Sequence, residues 1–188
     1  MDLESEILLT RSKQQVVRLV KWVGNNAGRF KQLMELFLKE DEEIARRSAW
    51  VIGHCVEAHP DLMQPWLKPM IKKMKQAKAH CAVKRNGVRI LQFVEIPSVL
   101  KGTVADLCFK YLTAQDEPIA VRTFSITVLS KIADKQPALK KELELTIQQM
   151  LPYTTPAFRA RAKQVLKGSN KNIAKLTTVG MWEKEFGI

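Results

Sequence analysis

The apolar positions of this chain recur with a period of 37 or 38 residues, and within each period they follow helical spacing. Four segments align without gaps: 45–52, 83–90, 121–128 and 158–165. Each opens on an apolar residue followed by a base: Ala45-Arg46, Val83-Lys84, Val121-Arg122 and Phe158-Arg159. Four positions on stands a small residue (Ala49, Gly87, Ser125, Ala162), and seven on a β-branched aliphatic (Ile52, Ile90, Val128, Val165). With 3.6 residues per turn, offsets 0, 4, 7, 8 and 11 share one stripe of a helix. That stripe is predicted to be core: Ala45, Ala49, Ile52, Gly53, Val56, then the corresponding residues from Val83 to Val94 and from Val121 to Ile132. The small residue in its middle lets a neighbouring helix come close.

Each of these helices has an apolar partner upstream. Phe30, Leu33, Met34 and Phe37 precede the first, and Leu67, Met70, Ile71 and Met74 the second. Val104, Leu107, Cys108 and Tyr111 precede the third, and Leu143, Ile147 and Met150 the fourth. Pro60, Pro97 and Pro137 stand where one helix must stop and the next begin. No period-two alternation is sustained, so a strand reading fails. The predicted architecture is all-α: helix–turn–helix units at about 29–62, 63–100, 101–139 and 140–168, in one domain. Residues 1–28, amphipathic over 7–23 but out of phase, are predicted as a degenerate N-terminal capping helix. Residues 169–188 are predicted as a C-terminal tail.

Composition changes the picture in one respect. Hydrophobic residues make up 46% and charged residues 27%, enough to bury a core. Lys plus Arg outnumber Asp plus Glu 31 to 19, for a net charge of +12, which points to an acidic partner. Residues 62–94 hold eight bases and no acid, the five lysines of the block's first half being Lys68, Lys72, Lys73, Lys75 and Lys78. Three widely spaced cysteines, Cys55, Cys81 and Cys108, form no CxxC and read as reduced, buried thiols. The start MDLESEILLT carries acids where a signal peptide carries bases, and no apolar run reaches membrane-helix length. A soluble cytoplasmic protein is expected.

The repeat resembles the HEAT family, most clearly over 42–53 and at Pro118-Ile119-Ala120-Val121-Arg122. The resemblance covers roughly 29–168. Lys84 in place of Arg and a missing acidic linker are departures in the second repeat. What the resemblance implies is a right-handed α-solenoid whose second helices line a concave surface used mostly for binding, with no particular ligand. It also implies that Arg46, Lys84, Arg122 and Arg159 form structural ladders, for which Asp41, Glu42, Asp116 and Glu117 are at hand.

Offsets 2, 6 and 9 lie opposite the core stripe and are expected to face the groove. They read Arg47, Val51, His54, then Arg85, Arg89, Gln92, then Thr123, Thr127, Ser130. A groove so lined favours an anionic or hydrogen-bonding partner; the plainer alternative is a solvated polar face. Catalytic constellations are missing: no Walker A, GxGxxG, GxSxG or HExxH occurs, and His54 and His59 stand five apart, off a shared helix face. HEAT-like DNA alkylation glycosylases use a groove carboxylate, and these rows contain none. The Ser-Ser-x-Met-Pro-x-Lys-x-Asn loop of the adenylosuccinate lyase and fumarase superfamily is likewise absent. The expectation is a non-catalytic binding or scaffolding module for a protein partner, without metal or cofactor. The alternative is nucleic-acid binding through the 62–94 block and the groove.

Overall fold

Residues 2–9, 12–39 and 41–167 are described in a computed structural model of the chain. Among them are ten α-helices, two short 3-10 segments and no strand, and 81% of these residues are helical. The tail expected at 169–188 lies outside the described residues. Between Glu95 and Ile96 the chain divides into two compact units.

The first unit runs through α1 (Leu3–Leu9), α2 (Lys13–Val23), α3 (Ala27–Leu38), α4 (Glu42–Ala58), the 3-10 segment Pro60–Trp66, α5 (Leu67–Met74) and α6 (Cys81–Leu91). Side chains start several of these helices by accepting from an otherwise unpaired amide of the first turn. Ser12 accepts from Gln15 N at 3.2 Å, Asn26 from Arg29 N at 2.9 Å and Asp41 from Ile44 N at 2.8 Å. Gly24 ends α2 with a φ of 50°, a backbone region that glycine enters without steric cost.

The second unit comprises α7 (Ser98–Thr113), α8 (Ile119–Ala133), α9 (Pro137–Met150), the 3-10 segment Leu151–Tyr153 and α10 (Pro156–Leu166). Pro97 and Pro118 stand immediately before α7 and α8, while Pro137 and Pro156 open α9 and α10, where a missing N–H costs nothing.

Packing follows the predicted stripe. Ala45, Ala49, Ile52 and Val56 of α4 are buried against α3, as are Val83, Ile90 and Leu91 of α6 against α5. Val121, Val128, Leu129 and Ile132 of α8 face α7 in the same way, and Phe158, Ala162 and Val165 are buried on α10. Gly87 marks the tightest approach: a Cβ there would stand 2.9 Å from Met74 Cγ and Cε. Ser125, at the same position of its repeat, is buried and turns its hydroxyl onto Val121 O at 2.8 Å.

Two expectations need correction. The amphipathic stretch over 7–23 is not one helix but parts of two, because Ser12 adopts an extended backbone and caps α2. Of the cysteines, Cys55 and Cys108 are buried, and burial pushes both thiols up to about 12, but Cys81 is exposed at the first position of α6.

Candidate functional site

The rows expected to face an open groove are largely covered. On α4, Val51 and His54 are buried and the Arg47 side chain is only 15% exposed. The covering elements are α1 and α2, both of which pack on α4. Arg47 donates to Ile7 O at 3.2 Å and to Leu8 O, closing the carbonyl end of α1, while its Nε meets Glu43 at 3.0 Å. On α8, Thr127 and Ser130 are buried too, and Thr127 Oγ1 accepts from Arg161 of α10 at 3.0 Å. Thr123 is half-buried with its hydroxyl on Ile119 O at 2.7 Å. Gln92 is half-buried and Arg85 exposed. The sequence treats the face opposite the stripe as solvent; in the fold, helices lie on both sides of α4.

A polar cluster forms within this covered face. His54 Nδ1 lies 2.9 Å from Glu57 Oε2, and the other carboxylate oxygen receives Arg89 Nη2 at 2.5 Å. The Glu57 side chain is 4% exposed, so its charge is held by a hydrogen-bonded cation rather than by water. Burial pushes the His54 imidazole below its ordinary range and outweighs the raising effect of Glu57, with the Arg89 charge acting in the same direction as burial. The neutral ring then carries its proton on Nδ1 and donates it to Glu57. Glu57 stands three residues past the last groove position, so the rows omit it. Its place one helical turn after His54 was the available signal.

Three of the anchor bases, Arg46, Arg122 and Arg159, are engaged within the fold. Arg46 pairs with Glu43 at 3.2 Å. Arg122 Nε donates to Leu112 O at 3.1 Å, near the end of α7, and its guanidinium stands 5.9 Å from the Phe158 ring centre. Arg159 donates to Thr154 O at 2.9 Å. Asp41, one of the acids proposed for the ladder, caps α4. Charged donors on the carbonyl ends of helices satisfy orphan acceptors and complement the helix dipole.

The lysine block separates into two parts. Lys73 lies along the Phe37 ring and donates to Lys39 O at 2.6 Å, at the end of α3. Lys68, Lys72 and Lys75 sit at i, i+4 and i+7 and are exposed, as is Lys78 in the following turn. Among the described residues none of these four has an acidic partner within 4 Å. This is the concentrated, uncompensated charge of the first unit.

A family model for the HEAT repeat domain matches residues 3–169. The chain belongs to the HEAT-repeat family. The match takes in α1 and α2 as well as the four periodic hairpins, so the N-terminal pair is part of the HEAT domain. No curated protein and no solved structure matches the chain. HEAT-repeat chains are helical scaffolds, generally non-catalytic, that often mediate protein interactions. Among the described residues of this HEAT chain, no three His, Cys, Asp or Glu side chains are grouped to hold a metal ion, and no helix is long and apolar enough to cross a membrane.

Proposed function

We propose that this HEAT domain is a non-catalytic binding module whose partner is an acidic protein surface, met by Lys68, Lys72, Lys75 and Lys78. The supporting observation is the contrast between these lysines and the other bases. Arg46, Arg47, Lys73, Arg89, Arg122 and Arg159 are engaged with carboxylates or helix-end carbonyls, whereas Lys68 and Lys72 of α5, Lys75 at its end and Lys78 in the following turn are exposed and without an acidic partner among the described residues. Cations left unpaired on one face raise the local concentration of an acidic partner and speed its encounter.

Nucleic acid is the second reading, favoured by the run of eight bases without an acid over 62–94. The two partners differ in salt response. Phosphate contacts release counterions and give a log–log slope of about −0.9 per phosphate neutralised on duplex, blind to sequence. A protein interface depends on a few buried anchors and responds less to salt. Titration with an Asp/Glu-rich peptide and with duplex DNA, at about 50 and about 200 mM salt, separates them. The expected result is peptide binding that weakens less with salt than duplex binding does and is lost in the Lys68→Ala/Lys72→Ala/Lys75→Ala variant. Duplex binding that outlasts peptide binding at the higher salt would replace the first reading with the second.

A further inference from the structure

Between α1, α2, α4 and α6 lies a cleft of about 320 Å³, inside the first unit. We propose that it is a binding site for a compact amphipathic carboxylate, an apolar body carrying one anionic end. The cleft shares no residue with the lysine face, so this assignment does not rest on the partner proposed above.

Its floor is apolar, built by Ile7 of α1, Val16 and Leu19 of α2 and Val51 of α4, with Trp50 half-buried at the wall. One end is polar and comes from the start of α6: His80, Cys81, Arg85 and Asn86. Asn86 is the telling residue. It is 3% exposed, it lines the cleft, and its Nδ2 has no hydrogen-bond partner among the described residues. A buried amide donor without an acceptor is costly, so native proteins keep few of them, and each calls for an acceptor from elsewhere.

The electrostatics of that end select an anion. Arg85 is exposed, borders the cleft and has no acidic partner among the described residues. The amino end of an eleven-residue helix adds partial positive charge at the same place. The carboxylate on the rim, Glu6, is already held by Arg18 and by Gln15 Nε2 at 3.0 Å. Arg46 and Arg47 on the wall are turned to Glu43. His80 is tied back, its Nδ1 accepting from Ala82 N at 3.1 Å. What remains to meet a ligand is the Arg85 guanidinium beside an apolar floor, with the enclosed Asn86 amide N–H reached once its side chain turns toward the cleft. The volume sits at the small end of the ~300–1,000 Å³ of ordinary ligand pockets, so the ligand is compact.

Cys81 supplies the readout, since it is exposed on the cleft while Cys55 and Cys108 are buried. The full chain is titrated with 4-phenylbutyrate, with its neutral amide 4-phenylbutanamide, and with a short peptide ending in a free Phe carboxylate, and alkylation of Cys81 is timed with each. The acid is expected to bind, to slow Cys81 alkylation several-fold, and to bind about tenfold more tightly than the amide, the factor expected for one charged hydrogen bond. Arg85→Ala should cost about tenfold in affinity with Tm unchanged. Asn86→Leu, which removes the stranded donor at similar volume, should lose binding while holding or raising Tm. Tighter binding of the peptide assigns the carboxylate to a protein C-terminus, and tighter binding of 4-phenylbutyrate to a free acid. Equal affinity for acid and amide, no protection of Cys81 by any probe, or a lowered Tm with binding retained in Asn86→Leu would overturn the assignment. Should Asn86→Leu not fold, Arg85→Ala decides, because it changes no buried atom.

Discussion

His54 is a titratable ring that the fold keeps neutral, wedged between Trp50, whose ring centre is 6.4 Å away, and the Glu57 carboxylate. Its folded pKa lies below the unfolded value of ~6.5, with burial the leading cause. In the window between the two values the unfolded chain binds a proton that the native chain does not. The stability this group contributes is therefore complete above pH ~6.5 and declines as pH falls toward the folded pKa. Urea unfolding at pH 7.5 and 5.5 should show a lower midpoint at the acid end, and His54→Gln should make that difference smaller. A midpoint difference as large in His54→Gln as in the native chain would remove His54 as the cause.

The helices α5 and α6 meet where Gly87 leaves room for Met74, and a larger residue there has no space to occupy. Gly87→Leu should cost ~1–3 kcal/mol through overpacking, whereas Arg85→Ala, two residues away and exposed, should stay within about 0.5 kcal/mol. Equal shifts of the urea midpoint would mean that the buried stripe is assigned to the wrong face of α6. That stripe was readable from sequence because one packing partner, the preceding helix, recurs at every period and leaves the same residue sizes behind it. The second face of α4 was not readable. Its cover, α1 and α2, stands outside the repeat phase, so no periodicity announces that Val51 and His54 are buried. Nor could spacing reveal the Glu57–Arg89 bond, which joins helices 32 residues apart in sequence. The cleft of the first unit was equally hidden, being formed by the same out-of-phase helices. The basic block, a property of composition, was legible in full, but its division into structural and uncommitted cations depends on which helix end each side chain reaches.

Over the whole chain, a net charge of +12 overstates what is available to a partner. Five bases close the carbonyl ends of helices or turns: Arg29 on Trp22, Arg47 on Ile7 and Leu8, Lys73 on Lys39, Arg122 on Leu112 and Arg159 on Thr154. Four of the five are arginines, whose planar forks suit fixed hydrogen bonds, while the uncommitted bases on and just after α5 are all lysine. Acylation distinguishes the two residue types, since it neutralises an ε-amino group and leaves a guanidinium untouched. Acetylating the chain should therefore erase attraction to acidic partners while the helical circular dichroism signal persists, Lys73 being the one capping base exposed to the reagent's chemistry. A cell that writes acetyl marks on lysine could silence this domain without unfolding it.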